Sequence, residues 1–294
     1  MSPGATAALL ARIAAIERDG SLHHPERLRE RIEAMDRLDA LLLAEVADEA
    51  RQRATALMRQ WETANQAIFD ALRQAIRHGD GRRVMREWLQ VPADMPRDGQ
   101  AYDALDTLLA GVLPFDEPGD DGGALPADMV FYQPTPARHI LDLLERTRLD
   151  ETDVLVDLGS GLGHVPMLAA ICTGARSLGI ERNAAYVACA RRCAAALGLQ
   201  RVDFIAQDAR TTDLSAGTVF YLYTPFGGPI LRRVLDMLKH EAATRAIRVA
   251  TLGPCTATVA GEPWLRPADV PQPDRIALFH SIPCGPPGAD PAPA

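Results

Sequence analysis

The residues with the clearest chemical potential lie in one short stretch, VLVDLGSGLGHVP, at positions 154–166. Asp157 stands near the end of a strand-like apolar run, and Gly159, Gly161 and Gly163 follow it. Each glycine inside an ordered element costs about 0.5–1 kcal/mol relative to alanine, so the backbone here must turn tightly or be approached closely. A nucleotide-type ligand and a turn needed only for packing are the two explanations.

Two further carboxylates close later strand-like runs. Glu181 ends SLGIE, 18 residues after Gly163, and Asp208 ends RVDFIAQD. In a doubly wound sheet the ligand lies beyond the carboxyl ends of the strands, and an acid about 20 residues after the glycines bonds the ribose hydroxyls. Asp208 is placed to accept from an adenine amino group, with Ala209 against the ring. These positions predict a nucleoside site and favour ligand binding as the reason for the glycines.

A dinucleotide fingerprint fits the glycines less well. The pattern G-x-G-x-x-G, counted from Gly159, requires a third glycine at the position that His164 occupies. An NAD-dependent oxidoreductase is therefore the alternative from a different enzyme class.

Alternating strand and helix patterns in residues 129–282 position these side chains. They predict an α/β fold with a Rossmann-like, doubly wound, mostly parallel sheet. An all-α region, 1–114, precedes it, because residues 26–78 contain neither glycine nor proline and carry apolar residues every three or four positions. That stretch predicts one long helix, or two with a subtle break. The acidic, glycine-rich and proline-rich segment 115–128 is the predicted linker, and 283–294 a disordered tail.

The composition restricts the partners and the compartment. The 294 residues carry a formal net charge of −8 and only 5% aromatic residues, which disfavours nucleic acid. The five cysteines form no C-x-x-C pair, and the amino-terminal stretch predicts an amphipathic helix rather than an export signal. No apolar run approaches the roughly 20 residues of a membrane span. We therefore expect a cytoplasmic protein that needs no metal, and the scarcity of lysine relative to arginine suggests a bacterial source.

The motif VDLGSGLG, followed by GIE, resembles the class I S-adenosylmethionine-dependent methyltransferases over roughly residues 130–294. The resemblance implies S-adenosyl-L-methionine as cofactor. It implies that the glycine turn passes under the methionine part, that Asp157 organises the amino group, that Glu181 holds the ribose and that Asp208 holds the adenine amine. The full set of cofactor-binding positions it implies is Tyr132, Thr135, Asp157, Gly159, Ser160, Gly161, Gly163, Glu181, Arg182, Asp208, Ala209, Thr224 and Pro225.

Within that class, the chain is most similar to the non-SET histone lysine methyltransferases and their bacterial and mitochondrial relatives. Those enzymes carry a Y-x-x-T loop before a helix, and FYQPTPARHI places Tyr132 and Thr135 in the matching positions. Two departures affect the substrate side. Pro134 stands where the histone enzymes have an acid, and LYTPFGG, with Tyr223, replaces their asparagine-containing motif.

The resemblance predicts transfer of a methyl group to a protein side chain or a small-molecule nucleophile, by in-line displacement. Tyr132, Tyr223 and His164 are the candidate catalytic residues, and Phe226 joins Thr224 and Pro225 as candidates for the acceptor pocket. A non-catalytic protein that binds the cofactor to regulate a partner is a further alternative. The helical region could serve as a cap, a substrate site or a dimer interface, and we expect a homodimer through residues 26–78.

Overall fold

The computed structural model describes residues 3–89, 102–116, 133–224 and 226–282. They form two compact units. The first contains the described residues up to Ala75 together with Tyr102–Val112, and the second contains the rest. The predicted division at residue 114 therefore differs from the compact units, because residues 76–89 belong to the second. Nearly all of the predicted linker, and the predicted tail, lie outside the described residues.

The amino-terminal part of the chain is helical, as predicted. The described residues up to Leu113 contain the α-helices α1 (Pro3–Asp19), α2 (Leu28–Leu42), α3 (Asp48–Arg77), α4 (Gly81–Trp88) and α5 (Ala104–Val112). The long apolar stripe is thus divided between two helices, α2 and α3. Ala47, just before α3, donates its N–H to the Thr6 hydroxyl at 3.0 Å. The fully buried side chains of this unit include Leu9, Ile13, Leu38 and Trp61.

The second unit contains the predicted α/β sheet. Its strands are β1 (Val154–Leu158), β2 (Arg176–Glu181), β3 (Val202–Ala206), β4 (Val219–Tyr223), β5 (Arg248–Leu252), β6 (Leu265–Pro267) and β7 (Ala277–Ser281). Its remaining helices are α6 (Ala137–Thr147), α7 (His164–Thr173), α8 (Ala184–Ala196), α9 (Gly228–Ala242) and α10 (Cys255–Ala260). The predicted fold class, a Rossmann-like sheet preceded by an all-α region, is confirmed.

The strand order is β3-β2-β1-β4-β5-β7-β6. Neighbours among the first five strands pair in parallel, and β7 is antiparallel to both β5 and β6. The chain moves outward from β1 to β3, then returns to the other side of β1 at β4. The crevice beyond the carboxyl ends of β1 and β4 is therefore the topological switch point, where such sheets bind their ligands.

The two faces of the sheet carry different side chains. Val156, Leu158, Phe220 and Leu222 belong to a buried cluster that includes the apolar face of α9. The register places Phe204, Gly179, Asp157 and Tyr221 in one row across β3, β2, β1 and β4. Alternate residues of a strand point to opposite faces, so this row lies on the face opposite that cluster. The core of the unit thus brings polar groups to one face at the switch point.

No helix in the described part of the chain combines the length and apolarity that crossing a bilayer requires.

Candidate functional site

The glycine turn connects β1 to α7. Gly159, Gly161 and Gly163 have φ values of +91°, +53° and +85°, a region that side chains with a Cβ rarely adopt. The N–H groups of Gly159 and Ser160 donate to the Ile180 carbonyl oxygen at 2.8 and 3.0 Å, which ties the turn to the end of β2. The tight turn predicted from the three glycines is therefore present at the switch point.

Packing also requires glycine at two positions near the turn. A Cβ at Gly163 would lie 2.3 Å from the Phe204 ring, and one at Gly179 would lie 2.5 Å from that ring and 2.6 Å from the Ser160 hydroxyl. Both distances are far inside van der Waals contact. At Gly163 the packing explanation and the ligand explanation are compatible. The missing Cβ leaves room for the Phe204 ring, and the same residue precedes the first turn of helix α7 at the switch point.

Asp157 is a buried carboxyl group without a counter-ion. Its side chain is only 4% exposed. Burial, and then the nearby charge of Glu181, raise the pKa of Asp157 to about 8. No cationic side chain in the described residues forms an ion pair with it. A buried carboxylate is costly unless it is paired, so this position is suited to a ligand that brings a positive charge.

Glu181, at the end of β2, is half-buried and bonds the glycine turn directly. Its Oε2 accepts from the Gly161 N–H at 3.0 Å, and its Oε1 accepts from the Asn183 N–H at 2.8 Å. Each carboxylate oxygen has a further lone pair, so these two bonds leave capacity for a ligand hydroxyl. The structure thus brings Asp157 and Glu181 together across the turn, on adjacent strands.

Asp208 follows β3, on the same edge of the sheet, but its carboxylate has protein partners. Its Oδ1 caps the short helical turn Ala209–Thr211 through the Arg210 N–H at 2.9 Å, and its Oδ2 lies 2.6 Å from the Arg210 guanidinium. These bonds, with the charge of Arg182, lower its pKa to about 2. Ala209, predicted to face the adenine ring, is 8% exposed and packs in the core cluster.

A residue that sequence reasoning missed connects β4 to the segment before α6. Tyr221 is completely buried, and its hydroxyl lies 3.1 Å from the hydroxyl of Thr135, which is 8% exposed. Tyr221 also pairs in register with Asp157. A tyrosine in an apolar strand gives no sequence signal of its own, because only the strand pairing places it beside the carboxyl group.

The turn after β4 is strained at Thr224. Its φ is +36°, which is unusual for a β-branched residue. Its hydroxyl donates to the Leu252 carbonyl at 3.0 Å and accepts from the Cys255 N–H at 3.1 Å, so it binds the end of β5. Phe226, a predicted pocket residue, is instead 8% exposed and packs in the core cluster.

The three candidate catalytic residues, Tyr132, Tyr223 and His164, differ in burial and in whether the structure describes them. Tyr223 ends β4 and is partly buried, whereas Tyr132, like Pro225, lies outside the described residues. His164 begins α7, and its ring centroid lies 4.5 Å from that of Phe115. Burial lowers the pKa of His164 to about 4, which makes it a weak proton acceptor at neutral pH.

Two other predicted cofactor-binding residues flank these groups. Ser160 is buried within the turn, and its hydroxyl has no hydrogen-bond partner in the described residues. Arg182 is exposed directly after β2.

Comparison with known proteins agrees with this site. Residues 129–223 match the family model described as histone methylation protein DOT1, a match that spans the predicted loop, the glycine turn and the end of β4. No curated protein sequence matches the chain.

Solved structures with a similar fold include two methyltransferases. An RNA methyltransferase from Salinibacter ruber, in complex with S-adenosyl-L-homocysteine, is 29% identical, with a TM-score of 0.43 over 54% of this chain and 99% of that one. A precorrin-6y C5,15-methyltransferase from Geobacter metallireducens GS-15 is 16% identical, with a TM-score of 0.41 over 56% of this chain and 95% of that one.

The strand order and the family match together define the class of the protein. It is an S-adenosylmethionine-dependent methyltransferase of the class I type, as the resemblance carried by VDLGSGLG and GIE implied. The predicted enzyme class and cofactor are therefore confirmed, and the methyltransferase prediction is favoured over the NAD-dependent alternative.

Proposed function

We propose that this enzyme transfers a methyl group from S-adenosylmethionine to an amine of a protein side chain. The observation that carries the proposal is a buried Asp157, which has no counter-ion among the described residues, beside Glu181 across the glycine turn. The match of this same region to a histone methylation family supports a protein acceptor. A small-molecule acceptor is the second candidate.

The proposed binding mode follows from the charges of the site. Asp157 accepts from the cofactor ammonium group, because that cation would remove the cost of ionising a buried carboxyl. Glu181 keeps its bonds to the turn and accepts from the ribose hydroxyls through its remaining lone pairs. Ser160 is a buried donor for the carboxylate end of the cofactor, since its hydroxyl has no partner among the residues that the structure describes. Asp208 reaches the adenine amine only with oxygen lone pairs that Arg210 leaves free.

When bound, S-adenosylmethionine supplies a methyl group on a positively charged sulfur. Transfer forms an N–C bond as the C–S bond breaks, and it requires mainly that the nucleophile be aligned and water be excluded. The amine must arrive uncharged, with its lone pair free. His164 has a pKa of about 4, so it does not suit the task of a general base. We propose that the amine loses its proton to solvent before it enters the crevice.

The end of β4 supports an amine over a planar amide or adenine nitrogen. Enzymes that methylate those planar groups usually place Asn or Asp, then Pro-Pro and an aromatic residue, at this position, so that oxygens accept from the NH2 group. Here Tyr223 stands first, and the Thr224 hydroxyl is already bonded to the β5 end. The alkali step of the experiment distinguishes an amine acceptor from a carboxyl acceptor.

The test is methylation of a native lysate with methyl-tritiated S-adenosylmethionine. The full chain is added, macromolecules are separated from small molecules, and the protein fraction is treated with alkali. We expect label in protein that resists alkali, because N-methyl groups survive and methyl esters release methanol. The Asp157→Asn variant serves as control and should leave the background only. Enzyme-dependent label in a small molecule other than the cofactor, in nucleic acid or as alkali-labile methanol would contradict a protein amine as the acceptor.

A further inference from the structure

One polar contact outside the predicted set joins two separate segments of the site. The phenol of Tyr221 and the hydroxyl of Thr135 lie 3.1 Å apart, in an environment where Tyr221 is fully buried and Thr135 is 8% exposed. Residues 135 and 221 are far apart in sequence, so the bond joins the segment before α6 to the middle of β4. Buried hydroxyl groups lose their bonds to water, so each depends on the other for its hydrogen bond.

The pairing register of β1 and β4 places the contact between Tyr221 and Thr135 beside Asp157. Leu155, Val156 and Asp157 of β1 pair with Val219, Phe220 and Tyr221 of β4. Partners in register share a face of the sheet, so Tyr221 and Asp157 stand side by side. On the other side of Asp157 the partner is Gly179, which has no side chain. Tyr221 is therefore the side chain on a neighbouring strand that flanks Asp157 within its row.

The chemistry of the phenol fits an anchoring role. Burial raises the pKa of Tyr221 well above its usual range, so its hydroxyl keeps its proton near neutral pH. A neutral phenol is a poor base but a reliable hydrogen-bond donor and acceptor. It can hold Thr135 in place at any physiological pH, whatever the protonation of Asp157.

We propose that Tyr221 is a positioning residue that holds Thr135, and with it residues 133–136 before α6, against β4 beside Asp157. The inference rests on the proposed binding of the cofactor ammonium group at Asp157. Ordering that segment before the ligand arrives lowers the entropy cost of binding.

The test compares hydroxyl deletions from the two partners. Tyr221→Phe and Thr135→Val each remove one hydroxyl, and the double variant removes both. We expect each single variant to weaken the dissociation constant for S-adenosylmethionine about fivefold, the size of one neutral hydrogen bond. The double variant should be little weaker than either single one, because both break the same contact. Thr135→Ser keeps the hydroxyl and should restore most of the affinity lost in Thr135→Val.

A matched control lies at the other end of the same strand. The hydroxyl of Thr218, the residue before β4, donates to Asp153 at 2.7 Å, so Thr218→Val also deletes a hydroxyl bond from this strand. That variant should lower the melting temperature and leave the dissociation constant unchanged. If Tyr221 had only a structural role, Tyr221→Phe would also lower the melting temperature and leave the dissociation constant unchanged, and this result would overturn the proposal. Additive losses of affinity in the double variant would overturn it as well. Failure of the wild-type chain to bind S-adenosylmethionine would overturn the proposed function instead.

Discussion

At the scale of single residues, the site depends on a carboxyl group that the fold leaves incompletely satisfied. Asp157 is buried, beside the negative charge of Glu181 and without a cation among the described residues. Such an arrangement is unfavourable for the empty protein and favourable once a cationic ligand binds. Side chains with strongly shifted pKa values in a crevice are common at functional sites.

The first prediction concerns protons released on cofactor binding. Because the pKa of Asp157 is raised to about 8, the free protein carries its proton at about pH 6.5. An ammonium partner lowers that pKa, so binding at this pH should release close to one proton. Calorimetric titration in buffers with different ionisation enthalpies measures that number. Asp157→Asn should abolish the release, whereas Asp203→Asn, on the exposed side of β3, should retain it.

The raised pKa of Asp157 also makes the stability of the empty protein depend on pH. The folded pKa of Asp157 lies above its usual value of 3.8, so its contribution is fully present below that value and is lost as the pH rises through about 8. Asp157→Asn should therefore flatten the decline of the unfolding free energy of the empty protein over this range. An unchanged decline in denaturant titrations would contradict the assigned pKa.

The second prediction concerns Glu181. Glu181→Ala should weaken S-adenosylmethionine binding more than tenfold without unfolding the protein. It should also cost about 1–3 kcal/mol of stability, because the N–H groups of Gly161 and Asn183 lose their acceptor. Calorimetry and thermal melts give the two numbers. Glu87→Ala, an exposed residue of α4, is the control, and an unchanged dissociation constant would remove Glu181 from the site.

At the scale of secondary-structure elements, apolar runs and glycine positions predicted most of the fold. The mostly parallel sheet lies within residues 129–282, and the apolar stretch 26–78 forms helices, as the patterns predicted. Helix α10 and strand β6 were missed, because elements of six and three residues are too short to show a period. Phe226, a candidate for the acceptor pocket, packs in the core cluster, which its place in a turn sequence does not reveal, and its pocket role stays a prediction.

For the acids at the strand ends, the sequence predicted the positions on the strands but not all of their side-chain partners. Asp157 and Glu181 were placed correctly on adjacent strands, because parallel strands bring their carboxyl ends to one edge. The partner of Asp208 was not foreseen, although Arg210 stands only two residues away. Tyr221 depends on which strands are neighbours and in which register, and neither is written in the local pattern.

The third prediction tests the glycine turn as an element. Gly163→Ala adds a Cβ 2.3 Å from Phe204 at a φ of +85°, so it should destabilise the protein by about 1–3 kcal/mol and weaken cofactor binding. Gly261→Ala is the control, because its φ is −79° and its Cβ would meet the Thr258 carbonyl at an acceptable 3.4 Å. Equal melting temperatures for the two variants would contradict the packing explanation.

At the scale of the whole molecule, the fourth prediction is a homodimer through residues 26–78. The apolar stripe of this stretch led to the prediction, and Leu43, between α2 and α3, is 90% exposed. Light scattering of the full chain should give twice the chain mass of 31.8 kDa. Leu43→Glu should shift the population toward the single-chain mass, because it introduces charge on an exposed apolar side chain. A wild-type mass of one chain would refute the dimer.

The backbone at Thr224 has a consequence for how the crevice meets its acceptor. A threonine held at positive φ stores about 1–3 kcal/mol, which its two hydroxyl bonds to the β5 end must offset. When those bonds break, the stored energy is released and favours departure from the turn. The Thr224 hydroxyl thus fastens the end of β4 to the end of β5, and its removal would leave the positive φ without the bonds that offset its cost.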